Sequence, residues 1–189
     1  MQKPAFTLAA LLTLSAAQAL TLQGSVTASA NLGPHARVGV WSLGPAGAAG
    51  NELASAPLVN GTFSLPLPDG APPTRAQFPL RPETIGWPGV VGDVTLSAAV
   101  QGSELGLFVY DDSNGNGRRD DHEPLLDAFP DVQRQPLITV WVSGNVSVKA
   151  GHGFSVNLNS GWNSFLIDLG RSAAVSFYQG QPVNLRVPR

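Results

Sequence analysis

The 189-residue sequence has no cysteine, few charged side chains and no long apolar run after its first 19 residues. The absence of cysteine excludes disulfide bonds, thiol catalysis and zinc–thiolate sites. Charged residues make up 13% of the chain, with 11 basic and 13 acidic side chains, so we expect no basic surface for nucleic acid. Beyond the N-terminal stretch, no segment is long and apolar enough to predict a transmembrane helix.

Glycine and proline are abundant instead, with 21 and 16 copies, beside a hydrophobic content of 43%. Short segments of alternating or β-branched apolar residues are separated by turn-forming residues, and no segment predicts a helix after the N-terminal stretch. This pattern predicts an all-β fold, an antiparallel β-sandwich. The segments that carry it are residues 20–27, 37–43, 62–68, 94–100, 105–110, 137–142, 154–158, 162–169, 174–178 and 183–187.

Three local features refine this prediction. Residues 44–51 are mostly Gly, Ala and Pro and predict a loop. Pro66 and Pro68 have no amide donor, so we expect the strand that contains them to lie at a sheet edge or to end there. Residues 137–142 form a continuous apolar run, which predicts a central strand buried on both faces.

The N-terminus has the pattern of a secretory signal. Lys3 precedes an apolar stretch that is too short to span a bilayer, and Ala17-Gln18-Ala19 is a small-x-small cleavage site. We therefore expect residues 1–19 to be removed and the chain to be exported to the periplasm, the cell surface or the extracellular space. Residues 20–189 are expected to form one β-sandwich domain. The alternative is two small sandwiches joined near residues 81–93.

The most specific pattern lies in residues 111–123, which read DDSNGNGRRDDHE. Counted from Asp112, oxygen-bearing side chains and a glycine stand at positions 1, 3, 5, 6, 9 and 12 of an EF-hand-type calcium loop. Calcium takes six to eight oxygens, and a chain curling round the ion turns every second side chain inward. The expected metal ligands are Asp112, Asn114, Asn116, the carbonyl of Arg118, Asp120 and Glu123, with Gly117 at the sharp turn.

The flanks of this loop differ from those of a helix–loop–helix calcium hand. Residues 104–110 are a β-rich run that contains a glycine, and residues 124–130 are too short between prolines to form a useful helix. The loop is therefore expected to connect two strands. Asp111 and Asp121 fall outside the ligand pattern, and His122 is expected to point to solvent. Because Arg118 and Arg119 reduce the net negative charge of the loop, we expect a calcium dissociation constant on the order of 10⁻⁴–10⁻³ M.

Two blocks resemble known families. Residues 60–68, NGTFSLPLP, are similar to the hairpin of transthyretin-like, carboxypeptidase-regulatory-type modules of bacterial secreted proteins. Residues 110–125 resemble the calcium loops of B-repeats in bacterial surface adhesins, in which a similar acidic run joins two strands. The resemblance implies an immunoglobulin- or transthyretin-like sandwich with a structural or adhesive role and no catalysis. The implied partners are an envelope protein or a glycan.

Catalytic patterns are weak in comparison. His35, His122 and His152 are far apart in sequence, and no Gly-x-Ser-x-Gly elbow is present. The first functional hypothesis is therefore a non-catalytic, calcium-binding β-sandwich of the cell envelope or the secreted fraction. Trp87 and Trp162 lie in or beside turns and support an alternative, a carbohydrate-binding module with an exposed indole platform. A secreted hydrolase is the remaining alternative.

Overall fold

A computed structural model describes residues 20–29, 31–44 and 47–188 of the chain. The predicted signal sequence, residues 1–19, lies outside these described residues. The described residues fold as an all-β sandwich, which confirms the predicted fold class. They form 14 strands, and the helical elements among them are three-residue 3₁₀ turns: Thr74–Ala76, Pro82–Thr84 and Gly151–Gly153.

The strands belong to two sheets. Eleven form one large sheet, whose main path runs β13-β12-β9-β7-β8-β14-β1-β4, and β6, β10 and β11 form a smaller one. All pairings are antiparallel except that of β1 with β14. The strands are β1 Thr21–Ala28, β2 Ala36–Leu43, β3 Ala49–Pro57, β4 Thr62–Pro66, β5 Phe78–Pro79, β6 Thr95–Leu96, β7 Gln101–Asp111, β8 Leu126–Val132, β9 Gln135–Val142, β10 Val146–Lys149, β11 Ser155–Leu158, β12 Gly161–Leu169, β13 Ala173–Phe177 and β14 Val183–Val187.

Strand β7 is the hub of the large sheet. Its 11 residues pair with β5 and β9 near the start of the strand and with β2 and β8 near its end. Leu107 and Val109 lie in the core while Phe108 and Tyr110 face the opposite side, as the two-residue period of a strand requires. The candidate calcium loop therefore leaves a strand that, within the described part of the chain, pairs with four others.

Two hydrophobic cores share the strands β9 and β12. Leu137 and Leu166 belong to a first core with β1, β2, β4, β7 and β14, whereas Val140 and Phe165 belong to a second core beneath the small sheet. Adjacent side chains of β12 thus enter different cores. This arrangement confirms that residues 137–142 form a central strand buried on both faces, because no residue of β9 is fully exposed.

The end of β4 and the start of β3 test two of the local predictions. Strand β4 ends the main path of the large sheet and terminates at Pro66, as the missing amide donors predict. Asn60 and Gly61, with φ of 51° and 75°, form the turn that precedes it. The loop predicted for residues 44–51 is wrong in its second half, because β3 begins at Ala49 and pairs with β2 through two register shifts.

Candidate metal centre

The residues with the calcium pattern connect two strands that pair with each other. Strand β7 ends at Asp111 and β8 begins at Leu126, while Val109 faces Leu126 across the ladder. The connection therefore leaves and re-enters the sheet at neighbouring positions, and it contains turns and bends without a helix. Asp111 lies outside the ligand pattern and has a different contact, since its Oδ1 accepts the backbone N–H of His35 at 2.9 Å.

Asp112, at the first position of the loop, has a buried carboxylate that organises the turn. Only 3% of the residue is exposed. Its Oδ1 accepts the backbone N–H of Asn116 at 3.0 Å, and its Oδ2 accepts that of Gly117 at 2.8 Å. Gly117 has a φ of 79°, a left-handed conformation that glycine adopts without steric cost. The loop thus curls around the Asp112 carboxylate.

Glu123, at the twelfth position, closes the loop from the other end. It is 2% exposed, and its Oε1 accepts both the backbone N–H and the hydroxyl of Ser113, at 2.8 and 2.9 Å. Its Oε2 accepts the backbone N–H of Asp120 at 2.9 Å. The Asp120 amide, with the Ser113 donors, lowers the pKa of Glu123 against the opposing effect of burial. The carboxylate is therefore held in its charged form.

The middle positions of the loop converge on Asp120. The side-chain amides of Asn114 and Asn116 both donate to Oδ2 of Asp120, at 2.6 and 2.9 Å. The side chains at the third and fifth positions of the loop therefore meet at one oxygen of the ninth. Rotation of an amide about its last bond exchanges its nitrogen for its oxygen, so the same side chains can present oxygens to a cation.

A group of potential metal ligands lies at the end of the loop. One ligand atom each from Asp120, His122 and Glu123 lies within 4.8 Å of the other two. His122 is exposed, in keeping with the expected direction, yet a ring nitrogen is close to both carboxylates. Asp112 is not a member of this group. The arrangement can hold a metal ion, and it brings the ninth and twelfth positions together.

The two arginines of the loop have different environments. Arg118 is exposed, and its backbone N–H donates to Oδ1 of Asn116 at 2.8 Å. Arg119 is half-buried, and its Nε donates to the carbonyl of Glu123 at 3.0 Å. Arg119 therefore ties the middle of the loop to its last position, a role that the ligand spacing did not predict.

Strands β2 and β3 support the loop from the sheet. The Arg37 guanidinium lies 3.8 Å from Oδ2 of Asp112 and donates to the Ser55 hydroxyl, which in turn donates to the carbonyl of Gly117 at 3.1 Å. Glu52 accepts the Tyr110 hydroxyl at 2.8 Å and the backbone N–H of Arg119 at 3.2 Å. Burial, together with the nearby Glu52 carboxylate, raises the pKa of Tyr110 to about 12, so the phenol keeps its proton. These supporting residues stand far from the loop in sequence, and no motif marks them.

The residues of the loop fit a hard cation. Oxygen is the available donor type at the predicted ligand positions, and two of the carboxylates are buried and already aligned by backbone amides. Calcium prefers carboxylate, amide and carbonyl oxygens, and it accepts irregular geometry more readily than magnesium does. The described residues thus contain a donor set of the right chemistry within one short segment.

The tryptophans of the carbohydrate-binding alternative differ from the expectation. Trp87 is 3% exposed and packs against Phe165 at 5.3 Å between ring centroids, so it is not an exposed platform. Its burial contradicts the use of Trp87 as a sugar-binding surface, because the side chain belongs to the second core. Trp162 is half-buried, and its indole N–H donates to the carbonyl of Gly70 at 2.8 Å.

Comparison of the chain with models of known families, with curated proteins and with solved structures finds no match. Within residues 20–29, 31–44 and 47–188, no helix has the length and hydropathy needed to cross a membrane.

Proposed function

We propose that the protein is an exported, non-catalytic β-sandwich in which one calcium ion, bound by residues 112–123, fixes the connection between β7 and β8. The observation that carries this proposal is the burial of two carboxylates, Asp112 and Glu123, at the two ends of a segment with calcium-loop spacing. Burying a carboxylate is costly unless hydrogen bonds or a cation compensate for it. Both side chains have the hydrogen bonds, and a cation would complete the compensation.

The ligands would come from the positions that the spacing predicts. Asp112, Asn114, Asn116 and Asp120 would each supply a side-chain oxygen, Arg118 its carbonyl, and Glu123 both carboxylate oxygens. The ion would supply positive charge between carboxylates that otherwise repel one another. The ion pair of Arg37 with Asp112, the Arg119 backbone N–H donated to Glu52 and the Ser55 hydroxyl donated to Gly117 would transmit this ordering to β2 and β3.

A calcium ion that binds only the folded chain stabilises it by mass action. At a free concentration about 100 times the dissociation constant, the gain is about 2.7 kcal/mol. For a chain of this size, such a gain raises the melting temperature by roughly 5–10 °C. A chain without cysteine cannot use disulfides for stability after export, and a bound ion is a physical alternative.

The test is a calcium titration of residues 20–189 by isothermal calorimetry, with melting curves in calcium and in EGTA. We expect one site per chain, a higher melting temperature in calcium, and a weaker response to magnesium. Glu123→Gln should remove the effect. Asp121→Asn is the matched control, because the Asp121 side chain is fully exposed and lies outside the ligand pattern. Identical melting curves in calcium and EGTA would refute the proposal.

The biological role that follows is structural or adhesive, in the periplasm, at the cell surface or outside the cell. An ordered loop at the end of a rigid sandwich offers a surface for an envelope protein or a glycan. A pull-down from envelope extract with purified protein, in calcium and in EGTA, tests this part separately. Retention of a specific partner only in calcium supports it, and equal retention in both conditions contradicts a calcium-dependent role.

A further inference from the structure

A second candidate site lies away from the calcium loop, beside the first half of β7. It is a cleft of about 510 Å³ whose lining includes Leu43, Phe78, Glu83, Thr84 and Glu104. We refer to it as the Glu104 cleft. Small-molecule sites commonly have volumes of about 300–1,000 Å³ and combine apolar walls with a few polar groups. The Glu104 cleft has both properties.

The walls leave space for a ligand. Gly47 and Gly86 line the cleft, and a Cβ atom built on either glycine meets no atom of the described residues within 4 Å. A smaller cleft of about 210 Å³ also contains Leu43 and Glu104 and continues along β7 towards Asp127. The two clefts share Leu43, Gly47 and Glu104 in their linings, and we refer to them together as the groove, with Glu104 at their junction.

Glu104 is held in position from behind. Its Oε1 accepts the indole N–H of Trp87 at 2.6 Å, and Trp87 is buried and packs against Phe154 and Phe165. The indole cannot move without disturbing the second core. The carboxylate is therefore fixed at the junction before any ligand arrives, which lowers the ordering cost of binding.

The carboxylates of the groove have no basic partner among residues 20–29, 31–44 and 47–188. The ion pairs in that part of the chain involve Asp112, Asp121 and Asp131, and none involves Glu83, Glu104 or Asp127. Burial raises the pKa of Glu104, although the hydrogen bond from Trp87 acts in the opposite direction. A positive charge placed beside Glu104 would offset this cost of burial.

We propose that the Glu104 cleft binds a small organic cation, namely a protonated amine on an apolar body. The ammonium group would contact the Glu104 carboxylate, and the apolar body would lie against Leu43 and Phe78. An anionic ligand would meet repulsion from Glu83 and Glu104. The cleft brings no third carboxylate or imidazole close enough to complete a metal-binding group in the described residues.

The test uses 2-phenylethylamine as the probe and the protein, residues 20–189, in calcium and in EGTA. Its neutral and anionic counterparts are 2-phenylethanol and 3-phenylpropionate. Saturation-transfer NMR detects binding, and calorimetry or an NMR titration measures the affinity. We expect the amine to bind at least about tenfold more tightly than 2-phenylethanol, because an ionic hydrogen bond is lost with the alcohol. The anionic probe, 3-phenylpropionate, should not bind.

Variants assign the binding to this cleft. Glu104→Gln keeps an acceptor for Trp87 and should weaken amine binding about tenfold or more. Glu83→Gln removes an exposed charge from the rim, leaves the Trp87 contact in place, and should weaken binding about two- to fivefold. Asp93→Asn is the matched control, since Asp93 is exposed and does not line the cleft, and it should change nothing.

Three results would overturn the inference. These are no saturation transfer at millimolar amine, equal affinity for the amine and the alcohol, or unchanged amine affinity in Glu104→Gln. The inference does not depend on calcium binding. A failed calcium titration leaves it standing, and a failed amine titration leaves the proposed calcium site unaffected.

Discussion

Ser113 and Glu123, ten residues apart, are joined by two hydrogen bonds, because one carboxylate oxygen accepts both the backbone N–H and the hydroxyl of Ser113. The second and twelfth positions of the candidate calcium loop are therefore connected by the protein itself. These two bonds and the Asp112 contacts to Asn116 and Gly117 define the path of the loop. A loop that is already ordered pays less conformational entropy when it binds a ligand.

Asp112→Ala is expected to destabilise the protein even when calcium is removed. The substitution leaves the backbone amides of Asn116 and Gly117 without their acceptor and removes the charge opposite Arg37. Loss of such contacts typically costs about 1–3 kcal/mol of unfolding free energy. Urea denaturation in EGTA measures the change. Asp121→Asn should match the wild type, and a wild-type midpoint for Asp112→Ala would contradict the role of this carboxylate.

Glu123 is expected to stabilise the fold less as the pH falls. Its pKa in the folded chain lies below the ordinary value of 4.5, chiefly because the Asp120 amide holds the charged form. Its stabilising contribution is therefore present above pH 4.5 and is lost as the pH falls through the folded-state pKa. The stability of the wild type relative to Glu123→Gln, measured in EGTA from about pH 6 to about pH 3, should decrease. A difference that stays constant over this range would contradict the lowered pKa.

Glu104 is expected to stabilise the fold less as the pH rises, which is the opposite of the pH dependence expected for Glu123. Burial raises the pKa of Glu104 above the ordinary value of 4.5, so the folded chain holds the proton of this carboxyl group more tightly than the unfolded chain does. The contribution of Glu104 to the free energy of unfolding is fully present below pH 4.5 and is lost as the pH rises through the folded-state pKa. The stability of the wild type relative to Glu104→Gln should therefore fall with rising pH. A rise over the same range would show that hydrogen bonding outweighs burial.

Gly117→Ala is expected to strain the sharp turn of the loop. Gly117 has a φ of 79°, and an L-residue in the left-handed region costs about 1–2 kcal/mol. We expect a lower melting temperature and weaker calcium binding in calorimetry. Gly70→Ala is the control, because a Cβ at Gly70 meets nothing within 4 Å and its φ is not left-handed. Equal effects of the two substitutions would contradict a specific requirement for glycine at position 117.

The loop was predictable because its information is local. The spacing from Asp112 to Glu123 follows from how a short chain curls round an ion. The β-rich run before it predicts β7 from local residue types, without any tertiary contact. Most strands were predictable for a similar reason, since alternation within a segment depends on that segment alone. Strand β3 is absent from the predicted strands because its Gly-, Ala- and Ser-rich residues have weak strand preference, and its pairing with β2 overrides that preference.

The supporting contacts were not predictable. Glu52 and Ser55 reach the loop from β3, and Arg37 reaches it from β2, although about 60 residues or more separate them from their loop partners. Trp87 shows the same limitation, because a Gly-Trp-Pro-Gly turn is compatible with an exposed or a buried indole. The packing of Phe154 and Phe165 decides that it is buried.

The all-β class, the strand-flanked loop and the oxygen-donor spacing follow from the amino-acid order, because each depends on neighbours along the chain. The burial of both end carboxylates of the loop, its support by β2 and β3, and the place of Glu104 in a cleft follow from the three-dimensional fold. These features depend on which strands pair across the sheet, and strand pairing brings together residues whose separation in sequence carries no signal.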